Sequence, residues 1–281
     1  MTVAIVTDSG SDLTPAQLRE YGIRQVPLSV TIGSRSYLSP DELAPEEFWR
    51  LMRAPDNPFA HTAAASAGQF KQVFGQAFEE GADSIVCVCL SETLSSTIQS
   101  ARLAKEMLPG RQISLVDSRS ASMAVGALAL RAAAMAAQGS SATEITDHLM
   151  ALRLQTVFFV ALETLEYLRR GGRISSARAA IGGLLSVKPI MTIEDGLVVS
   201  ADTPRTRAKA HDRLVSLMTE SPVAELHVLF APPADAEGFR DELLDHLPPP
   251  SPSLVTAQVI GPVIGSHVGP GAYGGVLLRQ A

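Results

Sequence analysis

One imidazole, that of His267, stands beside a run of glycines in the stretch GSHVGPGAYGG, residues 265–275. These glycines also spell G-x-G-x-x-G, from Gly269 to Gly274. That fingerprint binds a dinucleotide where it follows a strand and opens a helix. The segment GVLLRQA that comes next predicts a closing strand, so the sequence does not favour a dinucleotide site. Two interpretations of the glycines stay open: a tight turn, or a close approach of the backbone to a ligand.

Small polar residues follow three predicted strands, in TDSGSD (7–12), SETLSST (91–97) and DSRSAS (117–122). Ligands of α/β sheets bind at the carboxyl ends of parallel strands. Hydroxyls and free N–H groups at the start of a helix also suit an anion. Ser95, Ser96 and Thr97 form the best such cluster. The alternative is that these residues only cap their helices.

Signatures of catalysis are missing from the sequence. It contains no G-x-S-x-G elbow, no Walker A loop and no H-x-x-x-H or H-E-x-x-H spacing among its six histidines. We therefore expect a binding protein without catalytic residues, metal or cofactor. A hydrolase or phosphotransferase that uses a serine with His267 on a small anionic substrate is the alternative, and a structural or regulatory role is a third.

The composition limits the classes of partner and compartment. The chain has 281 residues, 46% of them hydrophobic and 19% charged, and a net charge of −6, which predicts no nucleic-acid partner. Cys87 and Cys89 alternate with valine in SIVCVCL, as buried thiols of a strand would, and fit a reducing compartment. The first residues, MTVAIVTDS, predict a strand and not a signal peptide, so we expect a cytoplasmic protein. The alanine-rich stretch 121–139 has Arg131 at its centre and predicts a buried helix, not a membrane span.

Strands and helices alternate in the first half of the chain. VAIVT (3–7), SIVCVCL (84–90) and ISLVD (113–117) are predicted strands, and capping boxes that start at Thr14, Ser66 and Ser141 predict helices. QVPLSVTIG predicts one further strand that turns alternate residues, Val26 to Ile32, to one face. A short helix is expected at 45–52. The alternation predicts a mainly parallel sheet with crossover helices.

The second half has a different pattern. Asp195-Gly196 predicts a hairpin turn, and SLVTAQVIGPVIG predicts a strand, with a helix over 235–247 before it. The segment 162–191 predicts two short helices broken at Gly171-Gly172, with core residues at Leu162, Leu165, Tyr167 and Leu168. We therefore predict an α/β protein of two domains, 1–155 and 156–281, the second with a mixed or antiparallel sheet.

Several of these stretches together resemble the DegV family, bacterial proteins that bind fatty acids. The similarity runs nearly end to end through TDSGSDL (7–13), Thr62 with SAGQF (66–70), LSSTIQSA (94–101) and VDS (116–118). Its most specific parts are LETLEYLRRGGRISSARAAIGGLLSVKPIM and the closing HVGPGAYG. The resemblance implies an apolar tunnel between two α/β domains that holds a long-chain acyl group.

The resemblance also implies a set of site residues and a partner. Thr62, Ser95 with Ser96 and the adjoining backbone, and His267 would hold the carboxylate, with Gly269 and Gly271 letting the loop wrap it. Arg173 would lie behind these contacts or face the partner. That partner is a kinase that phosphorylates the bound carboxylate to an acyl phosphate for phospholipid synthesis, with transient contact to a membrane surface. A protonated His267 would strengthen the grip, so affinity should fall as pH rises through its pKa.

The chain departs from the family pattern close to these positions. A usual Thr-Ser-Gln-Pro-Ser loop reads TAAAS here, which puts Ala63, Ala64 and Ala65 where the family has a hydroxyl, an amide and a proline. Ser96 replaces a glycine that would let the backbone approach closest, and Tyr-x-Asp-Gly reads YLSP at 37–40. These changes bear on the head-group geometry and on chain preference.

Overall fold

The computed structural model describes residues 2–55, 59–174, 187–234 and 236–279. Its strands are β1 (Val3–Asp8), β2 (Arg24–Val26), β3 (Leu28–Ile32), β4 (Arg35–Ser39), β5 (Ala60–Ala63), β6 (Ser84–Cys89), β7 (Gln112–Asp117), β8 (Thr156–Ala161), β9 (Ile190–Glu194), β10 (Leu197–Asp202), β11 (Val223–Phe230), β12 (Leu254–Val259) and β13 (Tyr273–Arg279). Its helices are α1 (Pro15–Glu20), α2 (Pro45–Met52), α3 (Ala67–Glu79), α4 (Thr97–Glu106), α5 (Met123–Ala137), α6 (Ala142–Leu152), α7 (Glu166–Arg170), α8 (Arg207–Met218), α9 (Ala236–His246) and α10 (Pro262–Val268).

A four-stranded parallel sheet in the order β2-β1-β6-β7 organises the first half, as the sequence predicts. Every residue of β6 is buried, which fits a sheet covered on both faces. Helix α3 packs against α4, and α5 packs against α6. Helix α5 buries most of its length, so the prediction of a buried helix here is confirmed. Within the described ranges we find no helix with the length and apolar character needed to cross a membrane.

The capping boxes at Thr14, Ser66 and Ser141 are all formed. In each, the hydroxyl accepts a hydrogen bond from the backbone N–H three residues on, and the side-chain oxygen of the Gln or Glu there accepts one from the backbone N–H of the cap residue. The short helix predicted over 45–52 is α2. Local capping contacts thus account for the three capped helix starts.

The strand predicted over QVPLSVTIG is broken at Pro27. Val26 ends β2 in the parallel sheet, whereas Leu28 begins β3, the centre of an antiparallel sheet in the order β4-β3-β5. Proline has no N–H to donate to a ladder, so the chain leaves one sheet and joins another there. The four alternating side chains are nevertheless buried, so the predicted face is right and the predicted continuity is wrong.

The second half contains a six-stranded mixed sheet in the order β10-β9-β8-β13-β11-β12. Only the β11–β12 pair is parallel among its described pairings, which confirms a mixed sheet. Asp195 and Gly196 form the β9–β10 turn with φ of 49° and 84°, as an Asp-Gly hairpin requires. The closing strand is β13, and the helix predicted over 235–247 is α9. The second of the two helices predicted around Gly171-Gly172 lies outside the described residues.

The prediction of strand through residue 265 is wrong. Strand β12 ends at Val259, and α10 begins at Pro262 with Gly261 as its N-cap. Proline at the first helical position is a start signal, because its missing N–H would have no helical partner there. His267 therefore lies in the last turn of a helix, not in a glycine loop.

Helix α10 belongs to the second half of the sequence but packs into the first. It contacts α2, β3 and β5, as well as α7. The indole N–H of Trp49 donates to the Ile260 carbonyl at 2.8 Å, and Gly265 lies against the Phe48 and Trp49 rings, where a Cβ would come within 2.6–2.7 Å. This packing brings His267 next to residues more than two hundred positions earlier.

Candidate ligand-binding site

An apolar cavity lies where the two halves meet. The space between its lining atoms, mouth included, is about 730 Å³, of which about 80 Å³ is open to the centre of a water molecule. Its apolar lining is formed by Leu28, Ala63, Ala64, Leu90, Leu94, Ala121, Phe158, Val160, Leu162, Leu168, Met191, Ile193, Val198, Val263, Ile264 and Val268. Most of the enclosed space is within a water radius of a side chain, so the cavity is narrow.

The polar residues of the lining are Thr62, Ser95, Arg173, Thr192 and His267. Thr62 lies on β5 and His267 on α10, and the Thr62 hydroxyl and His267 Nε2 are 2.9 Å apart. Three of the residues named as carboxylate ligands from the sequence therefore share one cavity with the arginine placed behind them. The sequence could not reveal that β5 is a strand, because AHTA is short and pairs with a distant partner, Val30 opposite Thr62.

The electrostatics of the cavity keep the His267 imidazole neutral. Burial, followed by the positive charges of Arg173 and His61, lowers the pKa of His267 to about 4. The ring is therefore neutral at pH 7. Its Nδ1 is shielded from solvent and has no hydrogen-bond partner among the described residues.

Ser95 and Ser96 have different environments. Ser95 lines the cavity, and its hydroxyl lies 2.8 Å from that of Thr97 and accepts from the Thr97 N–H at 3.3 Å. Ser96 is exposed at the N-cap of α4 and is not among the described lining residues. The structure therefore brings Ser95 but not Ser96 to the cavity.

Two backbone carbonyls hold the Arg173 side chain in place at the cavity. Its Nε donates to the Leu94 carbonyl at 3.0 Å and its Nη1 to the Gly171 carbonyl at 2.5 Å. Burial lowers the pKa of Arg173, but an arginine keeps its proton at any neutral pH. Arg173 therefore brings a permanent positive charge to the described lining of the cavity.

The other small polar residues of the three loops hold the sheet edge together. The Thr7 hydroxyl donates to the Val88 carbonyl, the Ser9 hydroxyl accepts from the Leu28 N–H, and the Ser118 hydroxyl donates to the Ser120 carbonyl. Ser91 and Thr93 both donate to the Gly196 carbonyl at the tip of the β9–β10 hairpin. These five hydroxyls therefore bond to the backbone of strands, loops and a hairpin, and none of them caps a helix as the alternative expected.

Asp8 and Asp12 are buried carboxyls that the sequence analysis did not single out. Asp8 accepts from the Gly10 and Leu90 backbone N–H groups, at 2.8 and 2.9 Å. Asp12 accepts from the Ser122 hydroxyl at 2.5 Å and from the Gly261 N–H at 3.1 Å, at the start of α10. Burial raises the pKa of each to about 7, although their hydrogen bonds oppose the shift. Asp8 thus ties the end of β1 to the residue that follows β6, and Asp12 ties the loop after β1 to the starts of α5 and α10.

The glycines next to His267 serve protein packing. Gly269 and Gly271 both have φ of 76°, and a Cβ on Gly269 would overlap the Tyr167 ring, while one on Gly271 would lie 2.9 Å from Glu163 Cγ. The expectation that these two glycines wrap a ligand has no support in the described lining. Tyr167, Leu162 and Leu168 are buried and Leu165 packs against the core, as predicted.

Gly171 lies as close to a neighbouring side chain as Gly269 does. A Cβ at this position would overlap His267 Nδ1. The Gly-Gly-Arg segment therefore places Gly171 against the imidazole and the charge of Arg173 near it. Within the described part of the chain, no three His, Cys, Asp or Glu side chains are grouped as metal ligands would be.

Comparison with known proteins identifies this arrangement. The sequence model described as "uncharacterised protein, DegV family" matches residues 2–280. This chain belongs to the DegV family.

Its DegV relatives match over nearly their full lengths. A DegV domain-containing protein of Caldanaerobacter subterraneus is 34% identical over an alignment of 283 residues, gaps included, that covers 97% of each chain. One of Mycobacterium tuberculosis is 35% identical over 280 residues, covering 98% of this chain and 96% of that protein.

Solved DegV structures have the same fold. A fatty acid-binding DegV family protein from Thermus thermophilus superposes with a TM-score of 0.88 at 33% identity, covering 100% of both chains. The fatty acid-binding DegV of Bacillus subtilis gives 0.87 at 28% identity, covering 99% of this chain and 98% of its own. A stearic acid-binding protein from Eubacterium ventriosum gives 0.88 at 25% identity with the same coverage.

Three alanines follow Thr62 in the sequence. Ala63 and Ala64 line the cavity, whereas Ala65 is buried in the core. The local wall next to the polar cluster is therefore apolar in this chain.

Proposed function

We propose that this protein binds a long-chain fatty acid in the apolar cavity, with the carboxylate held by Thr62, Ser95 and Arg173 and with His267 orienting the Thr62 hydroxyl. The observation that carries the proposal is that Thr62, Ser95, His267 and the fixed cation of Arg173 line one narrow cavity whose other described lining residues, apart from Thr192, are apolar. The fatty acid-binding activity of DegV proteins with the same fold supports it.

The acyl chain supplies most of the affinity. A C16 chain buries about 14 methylenes at roughly 0.8 kcal/mol each, or ~11 kcal/mol before ordering costs. Charge-assisted hydrogen bonds to the carboxylate add roughly 1.5–3 kcal/mol each. The narrow cross-section favours a flexible chain over a rigid ring system. The polar cluster thus selects the carboxylate and fixes the direction of the chain.

His267 acts in this proposal as a neutral ring that orients Thr62. With the proton on Nε2, the ring donates to the Thr62 oxygen at 2.9 Å and leaves the Thr62 hydroxyl proton for the carboxylate. Arg173 supplies the countercharge that the neutral ring lacks. Ser96 has no part in this grip, because its side chain is exposed outside the described lining.

We further propose that the bound carboxylate is presented to a separate kinase. The kinase transfers a phosphoryl group from its own nucleotide to a carboxylate oxygen, forming an acyl phosphate for phospholipid synthesis. The protein works in the cytoplasm with transient contact to a membrane surface, and the two buried free thiols, Cys87 and Cys89, suit a reducing compartment. This part of the proposal rests on the family resemblance.

A hydrolase is the competing reading, because an imidazole next to a hydroxyl can act as a base. In serine and threonine nucleophile sites a third group orients that base through its other nitrogen. His267 Nδ1 has no such partner among the described residues. The geometry therefore favours binding over turnover.

Mass spectrometry of organic extracts from the purified protein tests the proposal. We expect a long-chain fatty acid at close to one equivalent in the wild type and much less in a Thr62→Val/Arg173→Gln variant that remains folded. An empty wild-type protein that also fails to bind added palmitate, or one that hydrolyses p-nitrophenyl esters in a His267-dependent way, would contradict it.

A further inference from the structure

A second cavity, an open cleft, lies on the other side of β9 from the site already described. About 630 Å³ of it is open to the centre of a water molecule. Thr192 and Ile193 line both the cleft and the apolar cavity, so β9 forms a common wall. No role in the proposed function falls to this cleft.

Three arginines line the cleft: Arg119, Arg153 and Arg279. Its carboxylates are Glu194 and Asp195, and Arg119 pairs with Asp195 at 3.3 Å. Arg153 and Arg279 have no ion pair of their own among the described residues. The described lining therefore carries a net positive charge.

The two remaining guanidinium groups have unsatisfied donors. Arg153 Nη1 donates to the Asp117 carbonyl at 2.7 Å, which fixes the group in place. The Nε atoms of Arg153 and Arg279 are shielded from solvent and have no hydrogen-bond partner among the described residues. A buried charged donor without an acceptor is costly, and a phosphate supplies several acceptors in the geometry that guanidinium prefers. Both arginines line the same cleft, and their backbone segments are neighbours, because the Arg279 N–H donates to the Gln155 carbonyl at 3.0 Å.

Apolar side chains complete the cleft. Leu154, which follows Arg153 directly, is 74% exposed, the highest value among the large hydrophobic residues in the described ranges. Val157 and Leu217 line the same cleft. Exposed apolar surface beside basic groups is the pattern of a site for an anion that carries an alkyl group.

We propose that this cleft binds the head group of a phosphate monoester that carries an alkyl chain. Arg153 and Arg279 hold the phosphate, and Leu154 and Leu217 contact the first carbons of the chain. The site is separate from the fatty-acid cavity and does not depend on the function proposed for it.

Calorimetric titration with hexyl phosphate tests the site, on protein stripped of lipid and on protein saturated with palmitate. We expect one binding event in both preparations, with hexanol and inorganic phosphate each at least about tenfold weaker, since each lacks one half of the ligand. Arg279→Gln should weaken hexyl phosphate about tenfold or more, whereas palmitate binding and the Arg19→Gln control, on an exposed arginine of α1, stay at wild-type values.

The outcomes separate this proposal from the fatty-acid proposal. Equal hexyl phosphate affinity in wild type and Arg279→Gln overturns the cleft site, whatever palmitate does. Inorganic phosphate as tight as hexyl phosphate also overturns it, because the ligand is then a free anion. If Arg279→Gln does not fold, Arg279→Lys, which keeps the charge and loses the two-pronged geometry, should show a smaller but measurable loss.

A binding experiment with lipid vesicles identifies the source of the ligand. Phosphatidylcholine vesicles that contain phosphatidate carry the same phosphate monoester at a membrane surface. Arginine-dependent binding to these vesicles as well as to hexyl phosphate supports a membrane source, and binding to hexyl phosphate alone supports a soluble one. Binding to neither overturns the proposal.

Discussion

The Thr62 hydroxyl and His267 Nε2 lie 2.9 Å apart, although 205 residues separate them in the chain. The contact joins β5 of the first half to the last turn of α10 in the second. It exists because α10 crosses over to pack on α2, β3 and β5. The polar end of the cavity is thus a product of how the two halves meet.

Removing single hydroxyls should separate site residues from their neighbours. We expect Thr62→Val and Ser95→Ala each to weaken palmitate binding at least about tenfold, since one hydrogen bond to a charged group is lost. Ser96→Ala is the matched control, because its exposed side chain is one residue away and outside the described lining. Fluorescence displacement of a labelled fatty acid measures all three. An effect of Ser96→Ala as large as that of Ser95→Ala would place the head group elsewhere.

Gly171→Ala should disturb the site without adding or removing a polar group. The new methyl group would overlap His267 Nδ1, so the ring must move away from Thr62. We expect at least a several-fold loss of palmitate affinity with the fold retained. Gly75→Ala, at a half-buried position in the middle of α3 with no atom within 4 Å of the new Cβ, should leave affinity unchanged and raise stability by about 0.5–1 kcal/mol.

Arg173→Gln should lower palmitate affinity more than any hydroxyl variant, about tenfold or more, because it removes the fixed charge of the cavity. It should also raise the pKa of His267 above about 4, since the charge of Arg173 holds that pKa down. Titration of the imidazole by NMR in the lipid-free protein measures the second effect. An unchanged His267 pKa would show that the guanidinium does not lie where the structure places it.

His267 also gives the stability a pH dependence. A pKa of about 4 in the folded protein, against 6.5 for the free side chain, means that the unfolded chain binds more protons between these values. The contribution of His267 to the free energy of unfolding is therefore lost as pH falls from about 6.5 towards 4. We expect the difference between wild type and His267→Gln to change in this window and to be flat above pH 7, in urea unfolding followed by circular dichroism. Because the ring is already neutral at pH 7, we also expect no change in palmitate affinity between pH 7 and 9 that depends on His267.

Replacement by asparagine should affect the stability of the protein differently at Asp8 and at Asp12. Both carboxylate oxygens of Asp8 accept backbone N–H groups, so the amide nitrogen of Asp8→Asn would face a donor and cost about 1–3 kcal/mol. Asp12 accepts one N–H and one hydroxyl, and the Ser122 hydroxyl can accept from an amide instead. We therefore expect Asp12→Asn to be well tolerated at pH 5.

The two variants should also differ from wild type in their pH profile. A carboxyl pKa raised from 3.8 to about 7 contributes stability that is present below pH 3.8 and is lost as pH rises through 7. Asp12→Asn has no carboxyl at this position and therefore does not lose this stability as pH rises. The free energy of unfolding of Asp12→Asn, relative to that of wild type, should therefore rise from pH 5 to pH 8. Unfolding in urea at these two values provides the test, and a constant difference would argue against a protonated Asp12.

The sequence by itself determined the local features of this protein and its family. Capping boxes at Thr14, Ser66 and Ser141 fixed helix starts, Asp195-Gly196 fixed a hairpin, and hydrophobic runs fixed the parallel strands, because each depends on neighbours a few residues away. Through the family's motifs, the sequence also pointed to Thr62, Ser95 and His267 as candidate site residues.

Only the tertiary structure decided what these residues do together. Pro27 divides one apparent strand between two sheets, and α10 carries His267 into the first half, because pairing and packing partners lie far away in the chain. The neutral state of His267 and the raised pKa values of Asp8 and Asp12 follow from burial, which no spacing of residues reports. Ser95 and Ser96 are adjacent in sequence, yet only the direction in which α4 begins turns the first towards the cavity and leaves the second in solvent.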